Sequence, residues 1–583
     1  MIMPHVITLI RSREPDTQGR WPGVPLILER LYRSRGVQDP GELDLSLRSL
    51  CEPAGLPGLE NAVELLTQDQ DQSILVVGDY DTDGATATAL AVLALRAMGW
   101  RHVDYLIPNR FTHGYGLSRI LVEEIRCSKP DLILTVDQGT TSQEGVQYAR
   151  DAGMRVLVTD HHLPASILPS ANALVNPNLP GSDFSARTLA GVGVLFYLLI
   201  GLRARLRSKD QLPEQMPPLA NWLDLVALGT VADLVPLDRN NRILVYHGLR
   251  RIRQGACRPG LLALIEVSHK QASSISEEDL AFAVAPRLNA AGRLADMRLG
   301  VECLVTDNAD HAKDMARELD QINLKRRNVQ EDIEAEVLDQ LIKNPPPDSP
   351  KLACVLFDPD WHLGVLGLIA SRIRERVHRP VFALARSPQG EIKGSARSIA
   401  GIHIRDVLVT LDAQHSHMLK QFGGHAMAAG LTLNTGVSVE EFEACLEGIL
   451  EPYRQACLVG HLIRTDGVLS APDISLESAA AITDGGPWGM GFPKPLFEGK
   501  FLIEKIESRS ERHCRVILRD LDSKGRYRAF GFSNSVRKCE AGDSRYFLFL
   551  PVINRYGNGR VLELQIIDQF ALDQVKCIEH DKF

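Results

Sequence analysis

Met154-Arg155-Val156-Leu157-Val158-Thr159-Asp160-His161-His162 is the stretch on which the fold turns. A mostly apolar run bounded by polar residues reads as a buried parallel strand. Its carboxyl end carries one carboxylate and two imidazoles, at the position where open α/β sheets place their ligand sites. Ile74-Leu75-Val76-Val77-Gly78 leads in the same way into Asp79-Tyr80-Asp81-Thr82-Asp83-Gly84. An Ala- and Leu-rich helix is predicted next, from Ala85 through Met98, with Gly99 ending it. If extended chain continued past Gly78, its alternation would point all three acids to one face. Asp131 to Val136 ends in Asp137-Gln138-Gly139, and the apolar stretch Trp222 to Val231 is read as a fourth strand end, delivering Asp233.

Carboxylates gathered in this way repel one another unless a cation neutralises them. Hard oxygen donors with one or two imidazoles suit Mn²⁺ or Mg²⁺ better than a thiolate-bound metal. A single Asp after a strand serves equally well as an N-cap, Asp83 as a turn residue and Asp160 as a cap. Four strand ends that all close in acid or His exceed what capping explains.

A chain of 583 residues predicts roughly three or four domains. With 44% hydrophobic and 24% charged residues it reads as a soluble globular protein. Ten cysteines without a C-x-x-C pair indicate neither a disulfide framework nor a zinc ribbon, which favours a reduced, cytoplasmic setting. The N-terminus lacks the apolar core of a signal peptide, and Leu189 to Leu202 reads as a buried helix, so no membrane is expected. A net charge of −8 is unusual for a nucleic-acid enzyme. Basic residues nevertheless recur at Arg242 to Arg258, Lys325-Arg326-Arg327, Arg372 to Arg379 and Arg509 to Arg528, and their distribution matters more than the total.

The first fifty residues show little periodicity and read as an irregular arm. Strands and helices alternate from Ile74 to about Pro177, residues 188 to 300 are mainly helical, and apolar positions from Ala312 to Leu341 predict one long amphipathic helix. Pro345-Pro346-Pro347-Asp348 would stop it. A second α/β domain is expected from about Leu352 to Tyr453, and short alternating strands from about 461 to 575 predict a small β-barrel.

The four acid-bearing segments resemble the motifs of the DHH phosphoesterases. Phe422-Gly423-Gly424-His425-Ala426-Met427-Ala428-Ala429-Gly430 is similar to the Gly-Gly-His-x-x-Ala-Ala-Gly signature of their DHHA1 accessory domain. Length, motif order and C-terminal region, over roughly residues 50 to 575, look like the RecJ family of single-strand-specific 5′→3′ DNA exonucleases. The resemblance implies an α/β multidomain fold: a 1–50 arm, a 51–305 parallel-sheet DHH domain, a 306–348 connecting helix and linker, a 349–458 DHHA1 domain and a 459–583 OB-fold barrel. It implies phosphodiester hydrolysis with two Mn²⁺ or Mg²⁺ ions held about 4 Å apart by Asp81, Asp83, Asp137, His161 and Asp233. Some relatives carry a His where this chain has Val77, and Asp79 is the candidate replacement. His162 would contact the scissile phosphate or assist the leaving group; Asp160 would orient a neighbouring ligand or serve as a simple cap.

For the substrate, the resemblance implies a 5′-phosphate pocket from Gly364-Val365-Leu366-Gly367, Ser371, Arg372, Ser395-Ala396-Arg397, Gly424 and His425. Arg110 could contact a phosphate, and Tyr115 is either a base-stacking residue or part of a turn. Trp488, Phe492 and Phe497 read mainly as interdomain packing. Two domains joined by a long helix would enclose a groove too narrow for duplex. The implied partners are single-stranded DNA, a single-strand-binding protein and a helicase, with the enzyme a monomer. A nanoRNA phosphodiesterase, a DHH pyrophosphatase and an inactive DNA-binding scaffold are the alternatives.

Overall fold

In a computed structural model, the structure describes residues 7–12, 20–110, 112–343, 351–458, 462–510, 513–532, 540–554 and 559–580. The proline run at 345–348, part of the basic stretch after Arg509, and parts of the N-terminal arm lie outside these residues. The chain divides into two compact units. A parallel-sheet unit comprises Val37–Leu324 and Asp484–Lys494, and a barrel unit comprises Met1–Gly36, Lys325–Thr483 and Pro495–Phe583. The first strand, β1 (Ile7–Ser12), belongs to the barrel unit.

In the parallel-sheet unit, β2 (Ile74–Val77), β3 (Val103–Leu106), β4 (Leu132–Val136), β5 (Arg155–Thr159) and β6 (Ala173–Val175) form an all-parallel sheet ordered β3-β2-β4-β5-β6. β2 and β4 are buried at every position, as a strand covered on both faces must be, which is why they read as apolar runs broken only by Thr135. The chain winds outward from β2 to β3 and then returns to the other side of β2 as β4. The strand ends of β2 and β4 therefore flank a topological switch point, where such sheets open a crevice. Asp79 and Asp137 follow those two ends.

Two local readings are corrected here. The acids of 79–83 do not alternate on an extended face: β2 stops at Val77 and the helix Thr82–Ala97 begins with Asp81 as its N-cap, its side chain accepting from Gly84 N. Ending the strand early lets the acids wrap around a turn instead of lining one side. Trp222 to Val231 is likewise no strand, because Leu223–Ala232 is helical with Asp233 at its C-cap. Every residue from Leu223 to Val231 is buried, and a helix apolar all round has no periodicity to set it apart from a buried strand. It packs with Gly191–Ser208 against Thr82–Ala97.

In the barrel unit, β7 (Cys354–Phe357), β8 (Val381–Arg386), β9 (Ile392–Arg397), β10 (Leu419–Gly424) and β11 (Ala428–Leu433) form a mixed sheet ordered β10-β11-β9-β8-β7. Phe382, Leu408 and Phe442 lie in its core. The long helix spans Ala309–Lys343, and Ile333 and Val337 on its second half join Leu356, Trp361 and Ile369 in a second core. Then come β12 (Leu462–Thr465), β13 (Phe497–Arg509), β14 (His513–Asp520), β15 (Arg526–Phe532), β16 (Ser544–Asn554), β17 (Val561–Ala571) and β18 (Val575–His580). β13 to β17 close a barrel in the order β13-β14-β15-β17-β16, the expected five-stranded OB-type barrel.

Among the described residues, the arm expected to be irregular carries regular elements: β1 lies between β12 and β18, parallel to both, and Leu26–Ser34 is a helix. Arg35 meets Asp466 through two hydrogen bonds of 2.8 and 3.1 Å, both side chains almost wholly buried. Trp488 and Phe492 stack at 5.3 Å inside the parallel-sheet unit, with Arg242 3.9 Å above Phe492. Phe497 is buried in β13, so these aromatics pack the interior. No described helix is long and apolar enough to cross a membrane.

Candidate functional site

The turn after β2 is braced from three directions. Gln138 Nε2 donates to the carbonyls of Val77 and Gly78 at 3.3 and 3.1 Å, tying the end of β2 to the end of β4. Asn289 Oδ1 accepts from both Thr82 N and Thr82 Oγ1, at 2.8 and 2.9 Å. Asp83 accepts from Gly191 N at 2.6 Å and Val192 N at 3.0 Å, the first amides of the Gly191–Ser208 helix. A helix N-terminus is a ready seat for a carboxylate. Position 191 must be glycine, because a Cβ there would sit 2.5 Å from Asp137 Cβ and Oδ1.

Asp137 adopts φ +61°, a left-handed conformation that non-glycine residues take only when their surroundings impose it. The kink aims its side chain back into the crevice. Asp137 Oδ1 lies 3.2 Å from His161 Nε2, which is also 3.5 Å from Asp233 Oδ2. Three overlapping groups emerge, each with ligand atoms within 4.8 Å of one another: Asp79, Asp81 and Asp137; Asp83, His161 and Asp233; and Asp137, His161 and His162. All four sequence segments thus converge.

Asp160 has a different task. Its Oδ1 accepts from His162 Nδ1 at 2.8 Å and from the amides of His161 and His162, while Oδ2 accepts from Thr140 N. It caps the turn and orients His162 in one arrangement. Asn178 and Asn176 hold the carbonyls of His161 and His162 at 2.7 and 2.9 Å. Tyr115 lies edge-on to His162 with ring centres 5.9 Å apart, and Arg110 sits 5.1 Å over Tyr80. Sequence reasoning missed Asn176, Asn178 and Asn289. The small-residue run Asn289-Ala290-Ala291-Gly292 was the available signal for the last, since Gly292 packs directly under Tyr80 O.

The electrostatics match this division. Burial and the neighbouring Asp81 push Asp79 up to about 8 and Asp83 up to about 7. Burial and the charges of Asp83 and Asp81 drive Asp137 and Asp233 well above the usual carboxylate range. Burial would also raise Asp160, but its hydrogen bond to His162 and the imidazole charges pull it far below that range. Burial would lower His162, yet Asp160 lifts it to about 9, aided by Asp233 and Asp79. Four carboxylates that resist ionisation together, with Asp137 Oδ1 buried and accepting no hydrogen bond among the described residues, fit a site built for divalent cations.

In the barrel unit, Arg397 Nε donates to Ser371 Oγ at 3.1 Å and Nη1 to Ser395 Oγ at 3.0 Å, while Ser371 Oγ donates to Gly367 O. Ala428 pairs with Arg397, and Gly424 with Ala429, so β9, β10 and β11 bring Arg397 and the Gly424-His425 turn to one end of the sheet. Gly424 is required by close approach, a Cβ there meeting Ala428 O at 2.4 Å. Arg372 stands apart, exposed and paired with Glu375. It does bear on Arg326, whose pKa is lowered by burial, then by Arg327 and Arg372. These guanidiniums share one neighbourhood.

Residues 73–230 match the DHH family N-terminal domain, 349–451 the DHHA1 domain and 465–568 the RecJ OB domain. The single-stranded-DNA-specific exonuclease RecJ of Dickeya dadantii is 46% identical over 526 residues, covering 89% of this chain and 91% of that protein. The chain belongs to the RecJ family. RecJ of Escherichia coli is 45% identical over 87% of the chain and 89% of its own length. Among solved structures, RecJ from Thermus thermophilus in complex with Mn²⁺ matches with a TM-score of 0.74 at 29% identity, covering 97% of this chain and 79% of that one. The same protein in complex with Mg²⁺ matches with a TM-score of 0.71.

Proposed function

We infer that this chain is a metal-dependent exonuclease that hydrolyses single-stranded DNA from its 5′ end, releasing 5′-mononucleotides in recombination and repair. The observation that carries the reading is the convergence of Asp79, Asp81, Asp83, Asp137, His161, His162 and Asp233 on one crevice, in a chain so close to named single-strand exonucleases.

Asp81, Asp83, Asp137, His161 and Asp233, with Asp79 beside Val77, would hold two Mn²⁺ or Mg²⁺ ions. Such a pair supplies, when bound, an activated water and neutralisation of the charge that develops in an in-line displacement. The chain's own contribution is preorganisation. Asp83 is fixed by two helix amides and Asp137 by its left-handed turn before any substrate arrives. His162 keeps its proton because Asp160 accepts from Nδ1, and its Nε2, 3.3 Å from the Tyr115 hydroxyl, would meet a phosphate oxygen and stabilise or protonate the leaving oxygen.

Arg110 and Tyr115 would meet the strand beside the crevice. Ser371, Arg397, Gly424 and His425 would receive the 5′-phosphate, with Arg372 and Arg326 as flanking positive charge. The division of labour would follow the 51–305, 306–348, 349–458 and 459–583 segments, the last gripping single strand through its barrel. The setting would be cytoplasmic and the enzyme a monomer, with a helicase and a single-strand-binding protein preparing its substrate.

The test is 5′-labelled single-stranded DNA with Mn²⁺ or Mg²⁺, beside duplex DNA, short RNA and pyrophosphate. Release of mononucleotides from the single strand, abolished by Asp137→Ala, is expected. Preference for short RNA or pyrophosphate, or no turnover at all, would overturn the reading.

A further inference from the structure

From Leu163 to Ser182 the chain carries no charged side chain, although it leaves directly from the most highly charged site of the protein. Leu163 and Ile167 are 64% and 71% exposed. They are not on a loose loop. Asn178 and Asn176 hold the carbonyls just before Leu163, Gln143 Nε2 donates to Ile167 O at 2.6 Å, and Pro164 and Pro169 restrict the backbone on either side of Ile167.

The same place gathers other exposed apolar groups. Gln143 opens the helix Gln143–Asp151, and Ser142 Oγ just before it accepts from Leu117 N at 3.0 Å. Tyr115-Gly116-Leu117 and Ile167 thus meet consecutive residues at one helix start. Ile120, 63% exposed, lies on the helix Arg119–Ile125, which packs on that same helix. Tyr115 in turn touches His162. Single exposed apolar side chains need no explanation, but several on pinned backbone around one catalytic imidazole do.

Phosphates are bound by cations, and the loop offers none. Its chemistry complements the uncharged face of a nucleobase, which apolar and aromatic surfaces take up without regard to sequence. We propose that Leu163 and Ile167, with Ile120 on the helix that packs beside Gln143, form a seat for the bases flanking the phosphodiester presented to His162. The proposal rests on the exonuclease reading and adds a source of strand selection: a base in duplex keeps both faces stacked and cannot enter the seat. Leu163 and Ile167 are thereby specificity residues, acting on binding and not on the chemical step.

The experiment compares the full chain with Leu163→Ser and Ile167→Ser, each on a 5′-phosphorylated single strand and on a strand of equal length with abasic sites next to the 5′ end. Binding is read by fluorescence anisotropy with metal chelated, so it does not depend on turnover; acid repulsion acts equally on both strands and cancels in their ratio. Each substitution should weaken binding to the normal strand about tenfold and leave the abasic strand unchanged, with restoration by Leu163→Met. With Mn²⁺ the loss should appear in KM while kcat stays within about twofold. Equal losses on both strands, or none on either, overturn the seat. Failure of the unsubstituted protein to release mononucleotides would instead overturn the exonuclease reading, while the anisotropy ratios still decide whether the seat exists.

Discussion

Asp160→Asn isolates the charge that sets His162. The substitution keeps the shape of a side chain that is 1% exposed and leaves an oxygen to accept from the imidazole, but removes the negative charge. His162 is held at about 9 against an ordinary value of 6.5, a differential of about 3 kcal/mol between its two protonation states. Bound cations would cancel the help from Asp79 and Asp233, leaving Asp160 as the partner that keeps the ring protonated. At pH 8 a pKa of 9 leaves about nine-tenths of His162 charged, whereas 6.5 leaves about 3%, so kcat/KM should fall about thirtyfold there. At about pH 6 both forms are mostly charged and the deficit should shrink to less than about twofold. The assay is kcat/KM on single-stranded DNA across this range, with the alkaline limb of the variant expected about two units lower. A thermal melt is the control, since Asn would turn an amide toward Thr140 N and lose that hydrogen bond. An unmoved alkaline limb, or an equal loss at every pH, would refute the charge argument and leave Asp160 only its role in the turn.

Four further outcomes follow from the geometry. Gly191→Ala should lower kcat about a hundredfold with the fold retained, because the added methyl displaces Asp137; near-normal kcat would show that Asp137 tolerates the shift. In metal-free protein, Asp79 and Asp83 titrate near 8 and 7, above the unfolded value of about 3.9, so the stability they contribute is complete below about pH 4 and is lost as pH rises through 7 to 8. Melting temperature without metal should therefore fall toward pH 8, and Mn²⁺ should raise it more at pH 8 than at pH 5; equal metal effects at both would contradict the raised pKa values. Arg35→Ala strands Asp466 in the interior and should destabilise the barrel unit by about 3–5 kcal/mol, read by denaturant titration of intrinsic fluorescence. Arg397→Lys should raise KM for 5′-phosphorylated strands about tenfold while sparing strands with a 5′-hydroxyl, since a point charge cannot replace a guanidinium fork.

How much of this was legible in the sequence depended on what each residue does. β2, β4 and β5 announce themselves because interior parallel strands are mostly apolar, and the acids at their ends could be found by position, although the one-faced extended arrangement expected for 79–83 gives way to a helix N-terminus. Asp233 was found for the wrong reason, since a wholly buried helix and a buried strand look alike without a polar face. Asn289 was missed for another reason: it accepts from Thr82 across 207 residues, and long-range hydrogen bonding leaves no periodic trace beyond the small residues that follow it. Asn176 and Asn178 were hidden in the same way, as ordinary loop residues until the carbonyls of His161 and His162 come to rest against them. The arm before residue 50 misled because β1 finds both of its partners far along the chain.

That last strand carries a consequence for how the protein is made. β1 waits for β12 and then for β18, and Arg11 meets Glu498 across 487 residues. At about 5–20 residues per second, a ribosome leaves the first strand without neighbours for tens of seconds, while residues 37 to 324 emerge as one uninterrupted stretch able to collapse first. An unpaired strand edge held open for that time invites pairing with other chains. β1 is thus secured long after it leaves the ribosome, and loss of β18 would expose one of its edges.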